Sequence, residues 1–211
     1  MTLIGDPGAW LDHFRTLDQR LLDRVGVVWP SCCAKLSGQP IEDKITINLV
    51  DLLSKDTIVR RLCHWVGYQH EPFGLLPDGT KFSKGKIDMA AFFDQERERY
   101  LAYECKRLNV HNNGSRRSLA TQYVVEGMMR FITEQYAEGL PVGCMLGYVM
   151  DGDTAFAQSQ VNNVIVSHGP LSLTGDPEAL PETVQIGRFR TGHIRSGGGA
   201  IELRHALLAY T

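Results

Sequence analysis

Apolar residues along this chain recur either every three to four positions or in short, nearly unbroken runs. From Ala9 to Val25, Trp10, Phe14, Leu17, Leu21 and Val25 fall at helical spacing, and Asp12, Arg15, Asp18, Arg20, Asp23 and Arg24 cover much of the remainder. That stripe predicts an amphipathic helix packed on the core. Val27 to Pro40, punctuated by Pro30, Gly38 and Pro40, reads as a loop. A second helix is predicted from Ile41 to about His64, with a break around Ser54–Asp56. Glu42 and Asp43 occupy its first turn, where acids complement the helix dipole. Ile45, Leu49 and Leu52 form its inward face, and Glu42 falls on the same stripe.

Trp65 to Phe73 reads as a strand, followed by a turn-rich stretch around Pro77-Asp78-Gly79. Lys86 to Asn109 then reads as two apolar strands joined by a charged hairpin, and Val110 to Arg117 as a polar loop. A helix is expected from Ser118 to Ala137, with Leu119, Tyr123, Met128, Phe131, Ile132 and Tyr136 on its apolar side. Val142 to Met150 is nearly all apolar, as in a central strand covered on both faces. Asp153 is placed to cap a helix from Thr154 to Val166. Val184–Arg195 and Ala200–Tyr210 flank a glycine turn as a hairpin. Together these elements predict an α/β (α+β) fold with a central mixed sheet flanked by helices. The core is expected over about 41–150 of a single domain, with the helix at 9–25 and the helix plus hairpin at 153–211 as additions.

Composition narrows the picture only a little. A chain of 211 residues suits one domain, and a net charge of −2 excludes a uniformly basic protein. Any nucleic-acid contact must therefore come from a local patch. Five cysteines without a C-x2-C spacing point to free thiols in a reducing compartment. The N-terminus lacks signal-peptide features and no run approaches the roughly 18 apolar residues of a membrane span. A soluble, cytoplasmic protein is expected.

Candidate chemistry changes it more. Asp88, Glu104 and Lys106 interrupt strands that should be buried, and an unpartnered buried charge is costly enough to imply a metal or a reaction. Glu104 and Lys106, two residues apart, share a strand face. A hairpin centred on Glu96 sets Asp88 opposite Glu104, Ala90 opposite Ala102 and Phe92 opposite Tyr100, with opposed Cβ atoms about 5 Å apart. A slip of one residue would separate the two acids. Carboxylates that close repel unless a cation lies between them, and Mg²⁺, with Mn²⁺ as a substitute, suits an oxygen set of this kind. The Cys105 backbone carbonyl offers a further oxygen. Lys106 is placed to orient or deprotonate a water, or to stabilise charge on a phosphate.

The spacing Ile87-Asp88, fifteen residues, then Glu104-Cys105-Lys106 resembles the PD-(D/E)XK nuclease superfamily, the restriction-endonuclease-like fold. The resemblance covers about Ile41 to Met150 and implies an αβββαβ core. Ile87 stands where the motif has proline, and Gln122 is followed by Glu126, not by the tyrosine of the Gln-x3-Tyr motif of some members. By resemblance, Asp88 and Glu104 are metal ligands, Lys106 is the catalytic lysine and Glu42 is the added acid from the preceding helix. The activity implied is Mg²⁺-dependent cleavage of DNA, with RNA as an alternative substrate. The sequence shows no separate recognition domain, so reliance on a homo-oligomer or a larger complex is expected. A role as effector of a restriction or phage-defence system follows by analogy only. Arg107, Arg116, Arg117 and Arg130 near the site, and Arg188, Arg190, His193 and Arg195 on the C-terminal hairpin, are the expected nucleic-acid contacts. The competing reading is a nuclease-like fold kept as a non-catalytic binding or assembly subunit.

Overall fold

The computed structural model describes residues 7–181 and 186–211, and its elements follow a mixed α/β order. Helix α1 (Pro7–Ala34) leads into α2 (Glu42–Lys55) and the short α3 (Val59–Leu62). Strand β1 (Trp65–His70) is followed by a small separate hairpin, β2 (Phe73–Leu75) and β3 (Lys81–Ser83). Then come β4 (Ile87–Phe92), β5 (Tyr100–Leu108) and a second small hairpin, β6 (Val110–Asn112) and β7 (Ser115–Arg117). A helical run of α4 (Ala120–Gln122), a π-helical segment (Tyr123–Met128) and α5 (Met129–Ile132) returns the chain to β8 (Val142–Val149). Helix α6 (Thr154–Ser167), β9 (Glu178–Ala179), β10 (Ile186–Ile194) and β11 (Ala200–Ala209) complete it.

Among the described residues, seven strands form one sheet in the order β1-β4-β5-β8-β11-β10-β9. β8 pairs in parallel with both β5 and β11, and the other pairings are antiparallel. Every residue of β8 is buried, as expected of a strand with a helix layer on each face. Neighbouring residues of β5 point to opposite faces and identify those layers. Tyr103 reaches Asp18 of α1, whereas Glu104 lies beside Gly127 of the π-helical segment. The C-terminal hairpin thus widens the central sheet through β11.

Several boundaries differ from expectation. α1 runs past Pro30 to Ala34, not into a loop, because its apolar stripe continues through Trp29, Cys32 and Cys33, all buried. Proline inside a helix costs about 3 kcal/mol. Burying Trp29, which also donates from Nε1 to the Ala209 carbonyl at 2.7 Å, is of a size to offset that cost. The helix expected to Ala137 stops at Ile132, and Glu134 and Ala137 adopt positive φ, so the chain folds back and buries Tyr136. The expected break in the second helix is present between Lys55 and Val59, and Asp153 caps α6 by accepting from the Phe156 N–H at 3.0 Å. Val184 and Gln185 of the expected C-terminal strand lie outside the described residues.

Candidate active site

The antiparallel ladder between β4 and β5 pairs Phe92 with Tyr100, Ala90 with Ala102 and Met89 with Tyr103, and there it stops. This is the expected register. Beyond it the next inward-pointing donors of β5 have lost their strand partner, and acids take its place. The Cys105 N–H donates to Asp88 Oδ2 at 2.8 Å, and the Arg107 N–H donates to Glu42 Oε2 at 3.0 Å. Glu42 reaches this point because it opens α2, whose first turn sits over the end of β5.

Lys106 closes the group. Its Nζ donates to Glu104 Oε1 at 2.7 Å, to the Cys105 carbonyl at 3.0 Å and to Glu42 Oε1 at 3.1 Å. The Cys105 carbonyl therefore faces the cluster, while its thiol is fully buried and pushed well above its ordinary pKa by that burial. Arg130 of α5 adds a second cation, with Nε 3.4 Å from Glu104 Oε1 and a hydrogen bond to the Tyr136 hydroxyl. Tyr136 in turn donates to the Lys86 carbonyl, two residues before Asp88. The helix can come this close because residue 127 is glycine. A Cβ there would meet Met145 Cε at 2.6 Å and contact Glu104 and Lys106.

Electrostatically the site holds more buried acid than its surroundings can stabilise. Burial, and then the charge of Asp88, pushes Glu104 up to about 8 against the opposing pull of Lys106 and Arg130. Burial also raises Asp88 and Glu42, despite their hydrogen bonds to β5 and the nearby Lys106. For Lys106 burial acts downward, but the Glu104 and Glu42 carboxylates outweigh it and hold the ammonium above its ordinary value. Glu104 Oε2 is buried and has no hydrogen-bond partner among the described residues. An orphaned carboxylate oxygen beside two more acids and a carbonyl is a donor set that fits a hard cation such as Mg²⁺. Among the described residues, however, no three His, Cys, Asp or Glu side chains stand together as a ready-made cage, and the Lys106 ammonium sits on the oxygens of Glu104 and Glu42.

A cleft of about 350 Å³ opens beside Lys106, lined by Glu42, Asp43, Arg107, Gln122 and Glu126 among others. Asp43, Gln122 and Glu126 were not expected there. Their sequence signal was faint: a second acid in the first turn of α2, and two polar residues four apart on one helix face.

The expected nucleic-acid contacts divide sharply. Arg107 lines the cleft and its guanidinium donates to the Pro40 carbonyl at 3.3 Å, while Arg117 is exposed on β7. Arg116 is instead ion-paired to Asp151 and Asp153 and lies 4.0 Å over the Phe156 ring, so it fastens β7 to α6. In the C-terminal set, burial overturns Arg188, His193 and Arg195, while Arg190 is half-buried. β10 is an inner strand, and Arg188 is buried against α1, with its guanidinium 3.1 Å from Asp18. Asp18 also accepts from Arg204 at 2.6 Å and from the Tyr103 hydroxyl at 2.9 Å. Arg190 pairs with Glu178 and Glu202. Buried His193 bonds Thr191 at 2.7 Å and the Leu171 carbonyl at 2.9 Å, and Arg195 donates to the carbonyls of Ala137 and Leu140. Arg188, His193 and Arg195 hold the sheet to its covering layers and have no surface to offer a phosphate.

Among the described residues no helix is long and apolar enough to cross a membrane. No protein-family model, curated protein or solved structure matches this chain.

Proposed function

We propose that this chain is a metal-dependent nuclease that hydrolyses phosphodiester bonds of DNA, in keeping with its resemblance to the PD-(D/E)XK superfamily. One observation carries the reading. Asp88, Glu104, Lys106 and Glu42, which lie on three separate elements, converge where the β4–β5 ladder ends, and one buried Glu104 oxygen has no hydrogen-bond partner among the described residues. Asp88, Glu104 and the Cys105 carbonyl, with Glu42 beside them, would hold Mg²⁺ or Mn²⁺. When bound, such an ion supplies a Lewis acid for the phosphate and a water of lowered pKa.

The rest of the chemistry belongs to the chain. Hydrogen-bonded to Glu104 and Glu42, Lys106 is placed to donate to a phosphate oxygen or to a water and to bring positive charge there. Arg130 keeps Glu104 oriented from the helix side, and Asp88 is fixed by the Cys105 N–H. Arg107 in the cleft and Arg117 on β7 are placed to grip backbone phosphates, contacts that position a strand without reading its sequence.

A direct test incubates the purified protein with supercoiled, linear and single-stranded DNA, and with RNA, in Mg²⁺, Mn²⁺ or EDTA. Cleavage should require the metal, and Lys106→Ala should lower its rate by about 10²–10³-fold, the usual cost of removing one preorganised donor. Full activity in Lys106→Ala would sink the mechanism. One observation favours the second reading, a nuclease-like binding or assembly subunit: the Lys106 ammonium already bridges Glu104 and Glu42. A melting temperature indifferent to millimolar Mg²⁺ and Mn²⁺, with no cleavage, would decide for that subunit.

A further inference from the structure

We propose that the β2–β3 hairpin is a nucleic-acid-binding arm that stacks unpaired bases beside the site, an inference that rests on the nuclease reading above. The arm leaves the sheet between the C-terminal end of β1 and the N-terminal end of β4, where His70 pairs with Ile87. Asp88 follows at once, and the C-terminal end of β5 carries Glu104 and Lys106 alongside. Arm and site therefore occupy the same end of the sheet. The base of the arm is fastened: Lys84 is ion-paired to Glu138 and reaches the Glu134 carbonyl at 3.4 Å, in the same fold-back that brings Tyr136 to Arg130.

Beyond that base the arm stands in the open. Phe73 is 61% exposed, Leu75 70% and Phe82 41%. The pairing sets Phe73 opposite Ser83 and Leu75 opposite Lys81, so Phe73, Leu75 and Lys81 share one face, while the Phe82 ring lies over Gly74 on the other. A two-stranded hairpin is marginal in water by itself, and large apolar groups held out on one imply a partner.

Charge selects that partner. Between Phe73 and Lys86 the chain carries Lys81, Lys84 and Lys86 against a single acid, Asp78, in a protein of net charge −2. Lys81 and Lys86 are exposed, and neither joins an ion pair among the described residues. Ring faces interleaved with ammonium groups suit the bases and phosphates of a nucleic acid, and single strands leave base faces free to stack.

Fluorescence anisotropy of the full-length protein with labelled single-stranded and duplex oligonucleotides, in EDTA to prevent turnover, tests the arm. The single strand should bind more tightly than the duplex. Phe73→Ala should weaken single-strand binding by roughly 5- to 100-fold, the range for one lost base stack, and Phe73→Trp should restore it. Lys81→Ala should reduce the salt dependence by about one phosphate contact. If the parental protein cleaves DNA yet Phe73→Ala and Lys81→Ala bind as it does, the arm proposal falls and the nuclease reading stands. If Phe73→Ala with Leu75→Ala dissolves a homo-oligomer in light scattering while oligonucleotide binding is unchanged, the arm is a self-association surface and the proposal is overturned. A parental protein that neither binds nor cleaves any oligonucleotide overturns both.

Discussion

Asp18→Ala is a sharp test of how this fold is held together, because the effect can be worked out from the contacts. Asp18 is fully buried in α1 and serves both Arg188 of β10 and Arg204 of β11. Arg204 keeps a second acid, Glu202, at 3.0 Å. Arg188, itself buried, has no other carboxylate among the described residues, and its Nε already lacks a partner. Removing Asp18 therefore leaves a buried guanidinium without a counter-charge, its Gln19 hydrogen bond notwithstanding, a loss of about 3–5 kcal/mol, with a smaller part for the Tyr103 hydroxyl. At about 2–4 °C per kcal/mol for a chain of this size, the melting temperature should fall by roughly 10 °C. Urea unfolding followed by far-UV circular dichroism gives the same quantity as a midpoint. Replacing Arg188 by Met in the Asp18→Ala background should return most of the loss, since the stranded charge is then gone. A loss below about 1 kcal/mol, or no recovery in the double variant, would refute the argument.

Further outcomes follow from other parts of the molecule. His193 and His205 are buried and linked through Thr191, and burial lowers both pKa values. The unfolded chain takes up these protons first as pH falls, so their contribution to stability is intact above about pH 6.5 and declines below it. Glu104, raised to about 8, acts the other way: its contribution is present below about pH 4.5 and is lost as pH rises through 8. The comparison is therefore between the Tm–pH profiles of the parent and His205→Asn, and the variant should fall less steeply between pH 6.5 and 5; parallel profiles would contradict the assignment. Gly127→Val should overpack the helix against Glu104, Lys106 and Met145, costing about 1–3 kcal/mol and most of the cleavage activity. Unchanged melting and turnover would mean that the helix lifts freely from the sheet. Millimolar Mg²⁺ should raise the parental melting temperature and leave that of Asp88→Ala unchanged, as differential scanning fluorimetry would register.

The sheet-end acids were legible because a hairpin is local. Once Glu96 is set at the turn, register follows by counting, and it carries Asp88 to Glu104 without knowledge of the rest of the fold. Glu42 was legible through helical phase. The arginines of the C-terminal hairpin were not, since their partner Asp18 lies 170 residues from Arg188 and 186 from Arg204, and nothing in a local pattern joins them. Asp18 itself resembled one more polar residue on a solvated face. Pro30 misled for a related reason: a local breaker was outweighed by the burial of Trp29 and Cys32 against elements far along the chain.

The end of the β4–β5 ladder has a consequence apart from catalysis. Past Tyr103, β5 presents the Cys105 and Arg107 amides toward a side where no strand continues the pairing, and Asp88 and Glu42 stopper them. Left open, two amides two residues apart on an extended segment would offer a template to another chain, and these acids close it. A variant that loses both would be expected to self-associate even while its core stays folded. Asp88→Asn, whose amide oxygen can still accept the Cys105 N–H, separates the loss of charge from the opening of that edge.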